Sequence, residues 1–381
     1  MLKIITAALG ATALLATVAT VVVAQTPPAA QGGGRAGRGA GQAAGGGGGG
    51  QQITPEQWNK PEVQAYVAKA KAQAGNDPDL VYDVTYNCGI AQGLPRSGDQ
   101  RGDGAYLQNS DPKIPYVSMT EENMNQTVLP PQHIFDNLWR FGGGGVGSWL
   151  VTSSNGYILF DTLNNADEAR DIILGGMRKV GLDPAKIQYV VIGHFHLDHT
   201  GGAHYMEQTL HKPIYMGRDD WPLYYNAMKS GDARLTDKVP MARGLDVEDG
   251  MKLTVGDVTA TVIQMTGHTP GSSGMIFPAK YNGRTFNVLI TTASAGGTNI
   301  RNRETFIGGF EHIWNWAIRE KVESVLNAHI NYNNNSLSRE MYVNNNYPPA
   351  KNPMIYGVEK TRKYIEITRA CGQARLEALG W

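Results

Sequence analysis

Residues 187–201 of the chain read IQYVVIGHFHLDHTG, an apolar run followed at once by a cluster of ionisable side chains. The apolar run has the pattern of a buried β-strand. Four groups that can bind a metal ion follow it within six residues: His194, His196, Asp198 and His199. His194 and His196 can point at one ion, since alternate side chains of an extended chain share a face. So many ligand groups exceed what one tetrahedral ion needs once ligands from elsewhere arrive, which suggests two metal ions.

The chain around this cluster alternates short apolar runs with helical stretches. β-strands are predicted at Ser148–Val151, Tyr157–Phe160, Ile187–Ile192, Pro213–Met216, Met251–Val255, Val258–Met265, Met275–Phe277, Phe286–Thr291 and Ser324–Asn327. Helices are predicted at Ala166–Val180, His204–Leu210 and Phe310–Glu320, and a loop is predicted over the Asn-rich residues 331–346. Gly256-Asp257 and Asn282-Gly283 are typical of hairpin turns. These patterns predict a mixed α/β domain with at least one antiparallel part.

The first 24 residues have the pattern of an export signal. Lys3 precedes a long apolar run without further charge, which ends in the small-residue pattern Val22-Val23-Ala24. We expect cleavage after Ala24. An uncleaved membrane anchor is the alternative, because the run approaches the ~20 residues that span a bilayer. Residues 25–52 are Gly-rich and contain no large apolar residue, so they are predicted to form a disordered linker.

Folded structure is expected to begin near Thr54. Thr54-Pro55-Glu56-Gln57 is a helix start, and the helix is predicted to run to about Ala74, before Gly75-Asn76. Residues 76–129 are rich in Gly, Pro, Asn and Asp and are predicted to be irregular. We therefore expect residues 53–130 to form an N-terminal extension packed on a core domain of residues 131–381.

Composition and charge exclude several classes of protein. The 34 Lys and Arg residues balance 34 Asp and Glu residues, and zero net charge argues against a nucleic-acid binder. Two cysteines are too few for a disulfide-dense scaffold, a four-cysteine zinc finger or an iron–sulfur cluster held by its own four thiolates. Export would permit a disulfide between Cys88 and Cys371, with two separate buried thiols as the alternative.

Four motifs, in order along the chain, resemble those of the metallo-β-lactamase superfamily. The run 194–199 resembles the metal-binding motif His-x-His-x-Asp-His, and TGHTPGS at 266–272 resembles the next ligand motif, with His268 as the ligand. VLNAH at 325–329 resembles the last one, with His329 at a strand end. Upstream, YILFDT at 157–162 resembles a strand that ends in a supporting aspartate, Asp161. The resemblance covers about residues 131–381 and implies an αββα four-layer sandwich, here with an irregular or helical N-terminal extension.

The resemblance also implies a ligand set for two Zn²⁺ ions. The first ion would be bound by His194, His196 and His268, and the second by Asp198, His199 and His329. Asp198 would also act in catalysis, by orienting a metal-bound hydroxide or helping to carry its proton. Three protein ligands per ion leave open positions for water and substrate. A six-ligand set without cysteine is the pattern of the third subclass of metallo-β-lactamases and of many relatives that are not lactamases.

The substrate is the harder question. Ser294 stands about where the third subclass has a serine, which makes it a candidate substrate-binding residue; a packed small residue is the alternative. Asp161 is expected to support a ligand histidine rather than merely to cap its loop. Three features depart from the subclass: Ala293 replaces an aspartate, Ile-Asn-Tyr follows His329 where a proline is usual, and residues 53–129 have no counterpart. These differences lie near the substrate rather than the metals.

The sequence thus predicts an exported dinuclear zinc hydrolase, periplasmic or secreted, that opens the amide bond of β-lactams and confers antibiotic resistance. Its partner would be a small-molecule substrate, with no nucleic acid and no membrane association after signal cleavage; a monomer is favoured, and the oligomeric state stays open. The rival is a hydrolase of the same fold acting on another ester, lactone or amide. Two further alternatives are a non-catalytic binding protein and a di-iron redox protein, although di-iron relatives have a glutamate where this chain has His196.

Overall fold

The computed structural model describes residues 53–92, 128–143, 145–229, 238–292, 303–329 and 336–381. The predicted export signal, the predicted linker and Ser294 lie outside these residues. Within the described ranges, none of the helices is both long enough and apolar enough to cross a membrane.

The described strands form two sheets whose hydrophobic faces pack together. The first sheet contains, in spatial order, β1 (Gln132–Phe135), β2 (Leu138–Gly142), β3 (Gly147–Ser153), β4 (Gly156–Phe160), β5 (Ile187–Val191), β6 (Ile214–Gly217) and β7 (Leu245–Val247). The second contains β8 (Met251–Val255), β9 (Val258–Gln264), β10 (Ser273–Tyr281), β11 (Arg284–Thr291) and β12 (Ser324–Asn327). Neighbours from β1 to β4 and from β8 to β11 are antiparallel, whereas β4 to β7 and the pair β11–β12 are parallel.

Helices cover the outer faces of both sheets. The described helices are α1 (Pro55–Trp58), α2 (Pro61–Ala74), α3 (Pro78–Gln92), α4 (166–179), α5 (Leu197–Thr200), α6 (Ala203–Leu210), α7 (Trp221–Met228), α8 (303–319), α9 (Ser336–Asn345) and α10 (Val358–Leu379). Both α4 and α8 contain a π-helical segment, at Ala169–Leu174 and Phe306–Glu311. The two predicted hairpin turns join β8 to β9 and β10 to β11. Asn282 and Gly283 both have positive φ, as a type I′ turn requires.

Three apolar clusters give the molecule its layers. The central cluster lies between the sheets and joins residues such as Phe135 and Trp149 to Met275 and Phe277. A second cluster packs α4, α6 and α7 on the outer face of the first sheet. A third packs α8, α10 and the N-terminal helices on the outer face of the second sheet. The layers are therefore helix, sheet, sheet and helix, which is the predicted αββα sandwich with a helical N-terminal extension.

The N-terminal extension differs from its prediction in two ways. The single predicted helix is two helices, because Pro61 holds the preceding residue, Lys60, in an extended conformation. Residues 78–92, predicted to be irregular, form α3. Its buried Leu80, Val84 and Cys88 recur every four residues, a helical stripe that the many Asp and Asn residues obscured. The prediction of a loop over residues 331–346 is likewise wrong where the structure describes it, since Ser336–Asn345 is helical.

A disulfide joins the extension to the last helix. Cys88 of α3 is bonded to Cys371 of α10, with their Cα atoms 4.7 Å apart. Around it, α2 and α3 pack along α10. Lys360 of α10 donates to the Asp77 carboxylate at 2.9 Å, and Arg339 of α9 pairs with Asp79. The disulfide alternative, rather than two separate thiols, is therefore the one that the structure shows.

A buried ion pair links the edge of the first sheet to α9. Arg140 Nε of β2 lies 3.6 Å from Glu340 Oε2, and both side chains are excluded from solvent. Arg140 also donates to Gln132 Oε1 at 3.2 Å and to the Gly143 carbonyl at 2.8 Å. Burial raises the pKa of Glu340 to about 7, and the charge of Arg140 offsets only part of that effect.

Glu340→Gln is expected to change the pH dependence of stability. The folded protein holds the Glu340 proton more tightly than the unfolded chain, so this group's contribution is fully present below about pH 4.5 and is lost as pH rises towards 7. Glutamine does not titrate, so the variant should not show this loss. Between pH 4.5 and 7, the free energy of unfolding of the variant should therefore rise by about 2 kcal/mol relative to that of wild type. Urea denaturation from pH 4.5 to 8 measures this. Glu359→Gln, which removes an exposed carboxylate, should run parallel to wild type; the same behaviour in Glu340→Gln would contradict the prediction.

Candidate metal centre

The six predicted ligands come together at one edge of the sandwich. His194 and His196 follow β5, and Asp198 and His199 lie on the short helix α5. From the second sheet, His268 lies between β9 and β10, and His329 follows β12. Segments at the strand ends of both sheets therefore supply the predicted ligands to one edge of the sandwich.

Three histidines form the first cluster. His196 Nδ1 lies 3.1 Å from His194 Nε2 and 3.0 Å from His268 Nε2. The three ligand nitrogens all lie within 4.8 Å of one another. His194 is fully buried, whereas His196 and His268 are partly exposed, so the cluster is open to solvent on one side.

Asp198, His199 and His329 form the second cluster. His199 Nε2 and His329 Nε2 are 3.1 Å apart, and Asp198 Oδ2 lies 3.6 Å from the first and 3.5 Å from the second. The two clusters adjoin, since the ring centres of His194 and His199 are 4.0 Å apart. The six predicted ligands thus lie in two groups of three that could each hold a metal ion.

Three of the five histidines have an oxygen atom beside the ring nitrogen that faces away from their cluster. His199 Nδ1 donates to Asp161 Oδ2 at 2.8 Å, and His329 Nδ1 donates to the carbonyl of Gly145 at 3.0 Å. His194 Nδ1 lies 3.2 Å from the Thr292 hydroxyl. A proton on Nδ1 leaves the lone pair of Nε2 free to face the cluster, which is the form that binds a cation. Asp161 thus contacts a predicted ligand histidine, as expected from the sequence.

Burial and neighbouring charges set the protonation of the site. Burial, together with the surrounding histidines, holds the pKa of His194 well below its usual range. Burial alone would raise the pKa of Asp198, but the charges of His199, His329 and His196 outweigh it and lower that pKa. Burial would lower the pKa of His199, and the carboxylates of Asp161 and Asp198 raise it instead. A neutral His194 and an ionised Asp198 are the forms that ligate metals.

The donor geometry fits zinc. Zinc binds histidine nitrogen at about 2.0–2.1 Å, so tetrahedral angles place two such nitrogens about 3.3 Å apart. Within each cluster, the paired histidine nitrogens are 3.0–3.1 Å apart. These nitrogens would have to move apart by only a few tenths of an ångström to bind an ion. Imidazole-rich sites suit zinc, and one carboxylate beside two histidines suits a second divalent ion.

Three supporting groups were not predicted from the sequence. They are the Gly145 carbonyl, the Thr292 hydroxyl and the carboxylate of Asp220. Gly145 contributes its backbone carbonyl, which every residue has, so the sequence could not indicate this contact. Thr292 comes directly after β11, and a polar residue at a strand end was the only indication. Gly193 makes room for Thr292, because a Cβ there would lie 2.0 Å from its Cγ2 atom.

Comparison with known proteins agrees with this architecture. The sequence model of the metallo-β-lactamase superfamily matches residues 141–280. The chain has the metallo-β-lactamase fold. Solved subclass B3 metallo-β-lactamases are among the proteins of similar fold. That fold, with two histidine-rich clusters at its edge, supports a metal-dependent hydrolase.

The individual similarities are distant. BJP-1, a subclass B3 metallo-β-lactamase of Bradyrhizobium japonicum, is 23% identical with a TM-score of 0.51, over 65% of this chain and 93% of that one. The metallo-β-lactamase GOB-18 from Elizabethkingia meningoseptica is 19% identical with a TM-score of 0.53, over 69% and 96%. An uncharacterized protein of Aquifex aeolicus (strain VF5) is 32% identical over 87 residues, which span 23% of this chain and 41% of that protein.

Proposed function

We propose that this protein is an exported hydrolase that uses two zinc ions to open the amide bond of β-lactams. The observation that carries the proposal is the pair of adjoining three-ligand clusters, with Asp198 on the open side of the second. Solved proteins of similar fold are described as metallo-β-lactamases, which favours this substrate class. Sequence position makes Ser294 a candidate substrate-binding residue of the proposed enzyme.

The chain's own residues have distinct tasks in such a reaction. Bound zinc ions would supply Lewis acidity and a water whose pKa is lowered to about 7. Asp198 is a quarter exposed and sits between His199 and His329, so it can orient the attacking water and accept its proton. The same carboxyl group can then deliver that proton to the leaving amide nitrogen. Asp161 and Gly145 keep the rings of His199 and His329 aimed at the site.

Export is part of the proposal. The apolar N-terminal run of residues 1–24 favours a cleaved signal, and the disulfide between Cys88 and Cys371 is a bond that persists in oxidising compartments. Both observations favour a periplasmic or secreted protein that meets its small-molecule substrate outside the cytoplasm. Antibiotic resistance would follow from that location.

Hydrolysis of a chromogenic cephalosporin by the purified mature protein tests the function. Turnover should require added zinc, stop with a chelator and return when zinc is restored. His268→Ala should lose turnover, whereas His211→Asn should keep it, because His211 is exposed and lies outside the site. Metal analysis of the same samples separates zinc from iron and so tests the di-iron alternative.

Another ester, lactone or amide is the second candidate substrate class. Ala293, where the third subclass has an aspartate, favours it, because that position lies beside the candidate substrate residue Ser294. Absence of cephalosporin turnover by protein that holds two metal ions would favour this candidate. A panel of lactones, aryl esters and amides would then identify the scissile bond.

A further inference from the structure

Asp220 is a fully buried carboxylate that accepts three hydrogen bonds beside the metal centre. Its Oδ2 atom accepts from the backbone N–H of Phe195 at 2.9 Å and from the Thr269 hydroxyl at 2.7 Å. Its Oδ1 atom accepts from the backbone N–H of Gly271 at 2.8 Å. All three partners donate, two to one oxygen and one to the other. Only an ionised carboxylate offers two acceptor oxygens without a proton of its own, so this position requires one.

The three donors belong to two separate loops. Phe195 stands between the ligands His194 and His196 after β5 of the first sheet, whereas Thr269 directly follows the ligand His268 between β9 and β10 of the second sheet. These loops are about 70 residues apart in the chain, and each supplies part of the three-histidine cluster. Asp220 therefore ties together the two sources of that cluster.

The approach of the second loop to Asp220 is close. A Cβ atom on Gly271 would lie 2.8 Å from Asp220 Cγ, and one on Gly217 would lie 2.0 Å from the Gly271 carbonyl oxygen. Within the loop, the Ser272 hydroxyl accepts from the Thr269 backbone N–H at 2.9 Å and lies 2.6 Å from the Thr269 hydroxyl. The loop thus reaches Asp220 as a braced unit, and glycine at 271 permits the contact.

We infer that Asp220 is a positioning residue that holds the three-histidine site in its metal-binding geometry. It does so by fixing the two ligand loops relative to each other, without touching the metal. The inference rests on the proposed metal centre but is independent of the substrate. The second cluster is held differently, by Asp161 and Gly145, so loss of the Asp220 carboxylate should weaken one metal site and spare the other.

Asp220→Asn is the direct test. Asparagine keeps the shape of the side chain but replaces one acceptor oxygen with an NH₂ group. That group faces a hydrogen-bond donor, so at least one of the two loops loses its hydrogen bond to residue 220. Metal-free protein is titrated with Co²⁺ against a competing chelator, and the two sites are assigned with the reference variants His268→Ala and His329→Ala. We expect Asp220→Asn to bind Co²⁺ about 10-fold or more weakly at the three-histidine site and less than about threefold more weakly at the other.

Two further variants control the experiment. Asp219→Asn removes the exposed neighbouring carboxylate and should bind Co²⁺ like wild type. Asp161→Asn should have its larger loss at the site of His199, whose ring it holds, and a smaller loss at the three-histidine site, which it reaches only through the backbone N–H of Gly193. Unchanged affinity in Asp220→Asn, or an equal loss at both sites, would overturn the inference.

Gly271→Ala keeps the test decisive if Asp220→Asn does not fold. It preserves the carboxylate but pushes the second loop away from it, so the same selective loss at the three-histidine site is expected. Wild-type affinity in Gly271→Ala would contradict the positioning role. A wild-type protein that binds no Co²⁺ would instead refute the proposed metal centre, and binding without cephalosporin turnover would refute only the proposed substrate.

Discussion

Under the proposed function, Asp198→Ala is expected to lower kcat/KM for a β-lactam by about 10³-fold or more, because the variant lacks both a metal ligand and the group that transfers the proton. The other two members of its cluster, His199 and His329, are histidines and carry no negative charge, so neither can replace the carboxylate. Because Asp198 is a quarter exposed, the fold should tolerate the change. Steady-state kinetics at saturating zinc, with circular dichroism to verify folding, measure the effect.

Asp198→Asn separates charge from shape in the same experiment. It keeps an oxygen donor near the cluster but cannot accept a proton at neutral pH, so its rate should also be strongly reduced. Asp219→Asn serves as the exposed control and should keep wild-type kinetics. Retention of more than a tenth of wild-type kcat/KM by zinc-loaded Asp198→Ala would refute the role given to this residue.

Removal of the disulfide is expected to cause a large loss in free energy of unfolding. The bond between Cys88 and Cys371 spans 283 residues of sequence, and cross-links that close long loops restrict the unfolded chain most. The double variant Cys88→Ser/Cys371→Ser is expected to lose about 3–5 kcal/mol in free energy of unfolding. Urea denaturation under oxidising conditions measures this difference.

The same experiment has an internal control. The chain contains two cysteines, so a reducing agent can act on no other bond, and reduced wild type should unfold like the double variant. The disulfide lies in the helical layer outside the second sheet, so metal content at low urea should be unchanged. Identical urea midpoints for the oxidised wild type and the double variant would contradict the prediction.

Most of the candidate metal centre could be predicted because four of its six residues lie close together in the sequence. His194, His196, Asp198 and His199 follow one strand, and alternation along that strand fixes which side chains share a face. Nine of the twelve described strands were predicted from their apolar runs, and β8 and β12 have the predicted ends. Strands β1, β2 and β7 were not predicted. The grouping of His268 and His329 with them came from the family resemblance, since nothing local joins residues so distant in sequence.

The remaining features depend on contacts that no local pattern records. Helix α10 packs against α2 and α3 on one side and against α8 on another, so polar residues such as Thr361 and Thr368 are buried among apolar ones and the helical period is blurred. The pairing of Cys88 with Cys371 follows from that packing. Asp220 was missed because two of its partners are backbone N–H groups, which any residue except proline supplies.

The pairing of the N-terminal helices with α10 has a consequence for biosynthesis. Helices α2 and α3 are synthesised before all the described strands, and α10, which packs along both of them, is the last described element to be synthesised. During that interval α2 and α3 can pack on each other, but the surface of α10 is missing for residues that are buried in the finished protein, such as Val63, Val67, Leu80 and Val84. We therefore expect the N-terminal helices to reach their final packing only after α10 has been synthesised, so an incomplete chain exposes apolar surface that favours aggregation.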